Sequence, residues 1–499
     1  MPGALALKHG MVTLFMQITL IGKYALWMLV LFVPSQILIG YLMAHKGSQS
    51  AKHYFISGKQ LPLLLMFFLD FASVLGVGNF IGYAGKGYEI GLSQFWMMLG
   101  EQGTKVLFAV TVAGIAGRYA YTTFNEFLEQ QLFHDKWLRI LGGFAMSVPM
   151  VAWIGVQAIG LGTLLAVVMG IDPVTGIWIA TLTAVIYTAV GGMWALVWTD
   201  VLQGGIRLFV GFIFFGIIFF KSGGIGGIRT GILAVQPNLW SFGNTGFAQN
   251  LALLITPMCG VFTLQVWWQR CFSAKDSKTA YRGFLYTAFF AMFMCSASIL
   301  MGMAAHVMNP HLARPDMAFG WLLVNWLPPV FGALLVVTII GADMTVSAAF
   351  MNSGVTLVLM DIVKPLIRED YPDKKLIQWA RWLTFIFGLG SVWVALHFPS
   401  ALSAGLWGYT FTGGGLFLPL VIGLLWKDKS GKTCVTKNAA IASLLIGGTS
   451  ASVIQYVPRL FKIFGGGIMP GLALSLVLTV GVSLVERSIE NKASRANAS

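Results

Sequence analysis

Acidic side chains lie inside segments of this chain that are otherwise apolar. Asp70, Asp200 and Asp343 each stand in a run made mostly of Leu, Phe, Ile, Val and Ala. A carboxylate in such surroundings is costly, and it is usually kept because it pairs with a base, binds a cation or carries a proton. These residues are therefore the first candidates for chemistry, and that chemistry is the handling of small cations.

Asp200 belongs to the most specific local run of the chain, GGMWALVWTDVLQ at residues 191–203. The run places the Asp200 carboxylate and the Gln203 amide three residues apart, on one face of a helix. Two interpretations stay open. Asp200 either stands at a helix end and faces cytoplasmic water, or it is a cation ligand or gating group.

Two apolar segments contain residues that interrupt a helix, Gly76, Gly78 and Asn79 in one and Pro257 and Gly260 in the other. Interruptions in corresponding segments of two halves are typical of the central binding site of a transporter. Glycine is also common in membrane helices for other reasons. We expect both segments to be unwound at these positions and to face one solute cavity, to which Gly76, Gly78, Asn79 and Gly260 contribute.

The next apolar segment adds Glu101, Gln102 and Lys105. Gln102 is predicted to contact a solute, whereas Glu101 and Lys105 are four residues apart and could simply neutralise each other. Trp267 and Trp268 could line the same cavity or belong to an interfacial aromatic belt, which is the commoner case.

Membrane helices must position these groups. Hydrophobic residues make up 57% of the 499 residues and charged residues 10%, and the mean hydropathy is +0.78. A soluble chain carries about 25% charged residues, so this composition excludes a soluble protein. A helix of about 20 apolar residues spans a bilayer. Thirteen such segments are predicted, at roughly 24–44, 61–84, 92–117, 137–168, 174–190, 195–220, 246–269, 284–308, 329–359, 376–398, 402–426, 437–457 and 466–486.

The two interrupted segments are the second and the seventh, which predicts two inverted repeats of five helices. A single transporter domain would then comprise a peripheral first helix at 24–44, core repeats at about 61–220 and 246–426, and peripheral helices at 437–486.

Lys and Arg indicate the orientation. One set of connections holds 21 of them and the opposite set eight, and the richer set is expected to be cytoplasmic. The sequence therefore predicts a multi-pass protein of the cell (inner) membrane, with its N-terminus outside and its C-terminus in the cytoplasm. This asymmetry also accounts for the net charge of +14 without nucleic acid. We expect no removable signal peptide and no fused cytoplasmic output domain.

The run at 191–203 resembles the signature of the sodium/solute symporter family. Four other pieces agree in order and spacing, and the resemblance covers nearly the whole chain. They are YFISGKQLP at 54–62, FIG at 80–82 with the glycines and tyrosine at 85–91, QRCFSAKD at 269–276, and LPP at 327–329 with MNS at 351–353 and Asp361.

The resemblance implies an all-α membrane protein with a leucine-transporter-type 5+5 inverted-repeat core and alternating access. It also implies a sodium site where the first and eighth core helices cross. That site would use the backbone carbonyls of Ala72, Leu75 and Ala342 and side-chain hydroxyls at positions 345 and 346.

The sequence departs from that pattern. Thr345 keeps its hydroxyl, but Val346 has none. Some family members have a second sodium site, of which only Thr345 and Asp200 remain, because Ala348 and Ala349 carry no side-chain oxygen. Sodium therefore stays the first candidate for the coupling ion and a proton the second. No other cofactor is expected, and no metal beyond a possible sodium ion.

Three interpretations of Asp343 stay open. Asp343 replaces the missing hydroxyl as a cation ligand, or Asp343 or Asp70 carries a proton, or either acid pairs structurally with Lys105, Arg207 or Arg381.

The resemblance does not favour a sugar as solute. Family sugar carriers place acidic and amide groups where this chain has Gly78 and Asn79, and a gating tyrosine near this chain's Gly260. Helix N-termini that point at an anion suit a small carboxylate.

The sequence thus predicts cation-coupled symport of a small organic solute by alternating access, without nucleic acid or an obligate protein partner. The alternative is a solute-sensing membrane protein that transports little, and uptake into vesicles would separate the two. Enzyme chemistry is not expected, because the seven histidines are scattered and the four cysteines share no close spacing.

Overall fold

The computed structural model describes residues 18–47, 50–74, 76–367, 372–398 and 400–496, and nearly all of them are helical. The helices of the first half are α1 (Leu20–Gly47), α2 (Ala51–Ile56), α3 (Leu63–Val74), α4 (Tyr83–Ile90), α5 (Gln94–Met98), α6 (Thr104–Phe108), α7 (Gly114–Ala116), α8 (Phe124–Leu128), α9 (Lys136–Met169), α10 (Pro173–Lys221) and α11 (Gly224–Val235).

The second half contains α12 (Phe247–Thr263), α13 (Gln265–Ser273), α14 (Ser277–Met308), α15 (Ala318–Trp326), α16 (Pro329–Thr356), α17 (Lys364–Ile367), α18 (Asp373–His397), α19 (Ala401–Leu425), α20 (Lys437–Ala442), α21 (Gly448–Tyr456), α22 (Pro458–Phe464), α23 (Ile468–Val477) and α24 (Ser483–Ala496).

Wide π-helical turns join several of these helices without a loop, including Gly78–Gly82, Leu99–Gly103 and Leu357–Val363. Such turns concentrate at functional sites because the extra residue displaces side chains from the regular helical face. Here they carry Asn79, Gln102 and Asp361, all of which the sequence had singled out.

Within the described ranges, eight helices are long and apolar enough to cross a membrane, or up to ten if each of two bent pairs is one span. The exact number of thirteen therefore stays a prediction, as do the limits of the repeats. One difference is plain: the predicted segments 174–190 and 195–220 form one continuous helix, α10. No proline follows the one at its start, so nothing removes a backbone donor along its length.

The core is built around α9, which packs against α10, α16, α18 and α19, and α10 also packs against α16 and α1. Helices approach closely where glycine replaces a side chain. A Cβ at Gly155 would lie 2.7 Å from Val394 of α18, and one at Gly408 of α19 would lie 3.0 Å from Pro149. This packing fixes α3, α9, α10 and α16 around the polar groups described below.

The two expected helix breaks are both present, but only one is where the sequence placed it. The α3 segment bends by 48° between Val74 and Gly78. The second bend, of 43°, lies at Leu264, between α12 and α13. The prediction of unwinding at Pro257 and Gly260 is wrong, since α12 is continuous through both. Proline removes one backbone donor, and a packed membrane helix tolerates that loss.

Candidate functional site

Gln157 of α9 fills the break in the first core helix. Its Oε1 accepts the backbone N–H of Gly78 at 3.2 Å, and a Cβ at Gly76 or Gly78 would collide with Gln157 or its neighbour Val156. The Asn79 side-chain amide donates to the Val74 carbonyl. The broken backbone is therefore capped by protein at this point, and glycine is needed because α9 approaches so closely. Leu75 lies outside the described residues.

The expected cation ligands lie together, and an arginine lies among them. The hydroxyl of Thr345 donates to the Ala342 carbonyl at 3.2 Å. Arg207 of α10 donates through Nη1 to the Ala72 carbonyl at 2.9 Å and through Nη2 to Thr345 Oγ1 at 3.3 Å. The structure thus brings three of the predicted ligands into one cluster whose centre holds a guanidinium.

Asp200 lies beside this cluster. Its side chain is 0% exposed, so the interpretation that it faces cytoplasmic water is wrong. Arg207, two helical turns further along α10, and Arg270 of α13 both interact electrostatically with it. The Thr345 hydroxyl also interacts with this carboxylate. Asp200 therefore compensates buried positive charge, and its role as a cation ligand stays a prediction.

Asp343 lies apart from the cluster. Its Oδ1 accepts from Ser347, one turn further along α16, at 3.3 Å, and it forms no ion pair in the described part of the chain. Asp343 and Val346 are three residues apart, which places them about 60° apart around the helix axis and one turn along it. The interpretations of Asp343 as a cation ligand and as a proton carrier therefore stay predictions, and the structural ion pair is disfavoured.

Six buried charges connect the cation cluster to the polar group of the next segment. Each interacts electrostatically with the next, positive and negative charges alternate, and the set is neutral as a whole. In order they are Glu101, Lys105, Asp70, Arg270, Asp200 and Arg207. All are at most 2% exposed.

The Glu101 end of this chain offers unsatisfied donors. Glu101 is hydrogen-bonded at both oxygens, because Oε2 accepts from the Tyr83 hydroxyl at 2.7 Å and Oε1 from the Tyr409 hydroxyl at 3.1 Å. Lys105 Nζ lies 3.7 Å from the centroid of the Trp267 ring. Lys105 Nζ has no hydrogen-bond partner within the ranges described, whereas the Gln102 side chain interacts with the Glu101 carboxylate. Buried polar groups are rarely left unpaired, so Lys105 Nζ is a candidate to contact a ligand.

Tyr409 occupies the space that Gly260 leaves free. A Cβ at Gly260 would collide with the Tyr409 ring, and that ring lies 4.9 Å from the Trp153 ring. Sequence reasoning assigned Gly260 to the solute site but missed Tyr409 and Tyr83, since an aromatic residue in an apolar helix carries no local signal of function. The one available clue was that family sugar carriers place a gating tyrosine near the position of Gly260.

Gly260→Ala is expected to displace Tyr409 from Glu101 and to lower the free energy of unfolding by about 1–3 kcal/mol, because the site is fully packed. The measurement is the melting temperature of purified protein together with solute uptake. Gly114→Ala is the control, since a Cβ there meets nothing within 4 Å. Equal behaviour of the two variants would contradict the packing argument.

A cavity of about 480 Å³ opens above this region at one end of the helices, lined among others by Gln94, Met97, Gln249, Leu402, Leu406 and Gln455. Met97, which lines the cavity, stands four residues before Glu101, so the cavity borders the segment that carries Glu101 and Gln102.

The other end of the helices is closed by a charged network. Arg139 donates to Asp361 at 2.9 Å and to Glu129 at 2.8 Å. Asp361 also accepts from Thr123 at 2.6 Å and from Asn125 at 3.0 Å. Asp361 lies sixteen residues beyond Thr345, about 24 Å along a helix. The candidate site is thus situated between this cavity and the Arg139 network.

Known proteins resemble this chain in sequence and in fold. The sequence model of the sodium:solute symporter family matches residues 54–447. The chain is 25% identical to the sodium/pantothenate symporter of Haemophilus influenzae, over 92% of this chain and 95% of the relative. It is 26% identical to the high-affinity proline transporter PutP of Bacillus subtilis, over 91% and 96%. The solved structure of a Na⁺-coupled sialic acid symporter in a substrate-bound outward-open state has a TM-score of 0.77 at 19% identity, covering 93% of this chain and 97% of that one.

These likenesses confirm the predicted fold class, an all-α membrane protein of the leucine-transporter type. The family consists of symporters, and enzyme chemistry has no place in it.

Proposed function

This chain belongs to the sodium:solute symporter family and is a cation-coupled solute symporter; we propose that its solute is a small organic carboxylate, bound at Gln102, Lys105 and the Trp267 ring. The observation that carries the proposal is the buried Lys105 ammonium, which makes no hydrogen bond in the part of the chain that the structure describes.

The donors suit an anion. Lys105 offers up to three N–H groups and Gln102 two, and hydrogen bonds between ionised partners are about twice as strong as neutral ones. Both oxygens of Glu101 already accept tyrosine hydroxyls, whereas Lys105 Nζ has no hydrogen-bond partner among the described residues. The unpaired polar group at this end of the charge chain is therefore a donor, which suits a carboxylate.

The apolar surroundings set the size of the rest of the solute. Trp267 is 2% exposed and Met97 is 0% exposed, so the solute's non-carboxylate part would contact an aromatic face and a thioether. The relatives named for pantothenate and proline handle solutes that carry a carboxylate group, which supports the same chemical class for this chain.

The path of the solute follows from the two ends of the molecule. The solute would enter through the vestibule lined by Gln94 and Leu402 and leave when the Arg139 network opens. With the connections rich in Lys and Arg in the cytoplasm, as the charge asymmetry favours, this direction is uptake across the cell (inner) membrane.

The test compares matched pairs of ligands. Purified protein in lipid nanodiscs is screened by thermal shift against small carboxylic acids and their primary amides, and each hit is followed as radiolabelled uptake into proteoliposomes. We expect carboxylates to stabilise the protein and to be taken up, and the amides to bind at least tenfold more weakly. Equal binding of acid and amide, or binding of sugars alone, would refute the proposal.

A further inference from the structure

We propose that the guanidinium of Arg207 is the resident cation of the site between Ala72, Ala342 and Thr345, and that this site does not bind sodium. Arg207 donates to the Ala72 carbonyl at 2.9 Å and to Thr345 Oγ1 at 3.3 Å, and the Thr345 hydroxyl in turn donates to the Ala342 carbonyl. The described oxygens that would coordinate sodium are all hydrogen-bonded within this cluster.

Charge supports the same assignment. A guanidinium and a sodium ion both carry one positive charge, and Asp200 compensates that of Arg207 from two turns earlier on the same helix. Asp200 is 0% and Arg207 1% exposed. A sodium ion added at this cluster would be repelled by Arg207 in a region that water does not screen.

The side chain at position 346 also disfavours sodium. The family resemblance places a hydroxyl there, whereas Val346 offers methyl groups, one of which would lie 3.0 Å from a Cβ added at Gly76. A sodium ion needs several oxygens around it, and unwound backbone with hydroxyls normally supplies them. A guanidinium needs only acceptors in its own plane, and the loss of one oxygen at 346 leaves those acceptors in place.

The consequence concerns coupling. A sodium ion that bridges the first and eighth core helices can dissociate to the other side of the membrane, whereas Arg207 is covalently attached and cannot. Arg207 links α3 to α16 as a bound ion would, and the coupling cation of this symporter must bind elsewhere.

The experiment measures sodium binding without any solute, so its outcome does not depend on the proposed carboxylate. Melting temperatures of wild type, Thr345→Val, Arg207→Ala and the double variant are compared in sodium chloride and in choline chloride, with ²²Na⁺ binding on the same samples. We expect Thr345→Val to leave the sodium response of the melting temperature the same as in wild type. We expect Arg207→Ala to gain a sodium-dependent rise in melting temperature, because it frees the oxygens beside Asp200, and the double variant to lose it.

Two variants serve as controls. Arg270→Ala also removes a buried arginine beside Asp200, but Arg270 donates to Ser73, so it should create no sodium response that depends on Thr345. Arg207→Lys keeps a tethered charge and should not respond to sodium.

Two outcomes would overturn the proposal. The first is a sodium shift in wild type that Thr345→Val abolishes, and this result decides even if Arg207→Ala does not fold. The second is a folded Arg207→Ala protein with no response to sodium, which would mean that the arginine does not occupy a cation site.

Discussion

Lys105→Met is expected to raise the KM for a carboxylate solute at least tenfold. Methionine keeps an unbranched side chain, one atom shorter than that of lysine, but removes the ammonium group that lies over the Trp267 ring. A hydrogen bond to a charged group contributes about 1.5–3 kcal/mol, and each 1.4 kcal/mol corresponds to a factor of about ten in affinity. The measurement is concentration-dependent uptake into proteoliposomes.

The ratio between a carboxylate and its primary amide separates binding from structure. If Lys105 contacts the solute, Lys105→Met should lower the ratio of the carboxylate's affinity to the amide's affinity towards one. A merely structural lysine that balances Asp70 and Glu101 would weaken both ligands equally, and that result would contradict the proposed site.

Lys221 provides the matched control. It also lies beside a tryptophan, with Nζ 5.7 Å from the Trp326 ring centroid, and it donates to the Trp326 carbonyl at 2.9 Å. Because it is exposed, Lys221→Met should leave both uptake and the acid-to-amide ratio unchanged.

The fold could be predicted from the sequence because its determinants are local. Apolar segments of membrane-spanning length and the run at 191–203 predict helices and family without any knowledge of contacts. The break at Gly76–Asn79 was equally readable, since adjacent glycines and an asparagine weaken a helix wherever they stand. Pro257 and Gly260 misled because their effect depends on packing, and in α12 the glycine accommodates Tyr409.

Only part of the candidate site could be predicted from the sequence. Ala72, Ala342 and Thr345 were placed by their positions in a motif, and the structure does bring them together. The group that binds them, Arg207, lies 138 residues from Thr345 in sequence, so only the packing of α10 against α16 could reveal the contact. Gln157 escaped notice similarly, as one amide in a long apolar helix.

Asp200 shows what decides such cases. Its type and spacing allowed a solvated helix end or a functional carboxylate, and burial alone separated the two. Burial depends on how α3, α10, α13 and α16 meet, which no single segment encodes.

The largest conformational effect is expected at the closed end of the helices, where Arg139→Gln should favour the state in which that end is open. Asp361 is 0% exposed and would lose its ionic partner. Removing one partner of a buried pair leaves an uncompensated charge, which is strongly destabilising unless water can reach it. Opening the network admits that water, so the open state gains relative to the closed one.

The readout is the accessibility of a buried position two helical turns beyond Arg139 on α9. Met146 of α9 is 0% exposed, and Met146→Cys can be introduced after the four native cysteines are replaced. In Arg139→Gln the rate of maleimide labelling at residue 146 should rise about tenfold for each 1.4 kcal/mol by which the equilibrium shifts to the open state, and net uptake should fall because the closed state is less populated.

Arg487→Gln is the control, since Arg487 forms a longer and more exposed ion pair with Asp428 at 3.9 Å, of a kind that contributes about 0–1 kcal/mol. Lost uptake without faster labelling, in a protein that still purifies as a folded species, would show that Arg139 stabilises the fold but does not control access to the site.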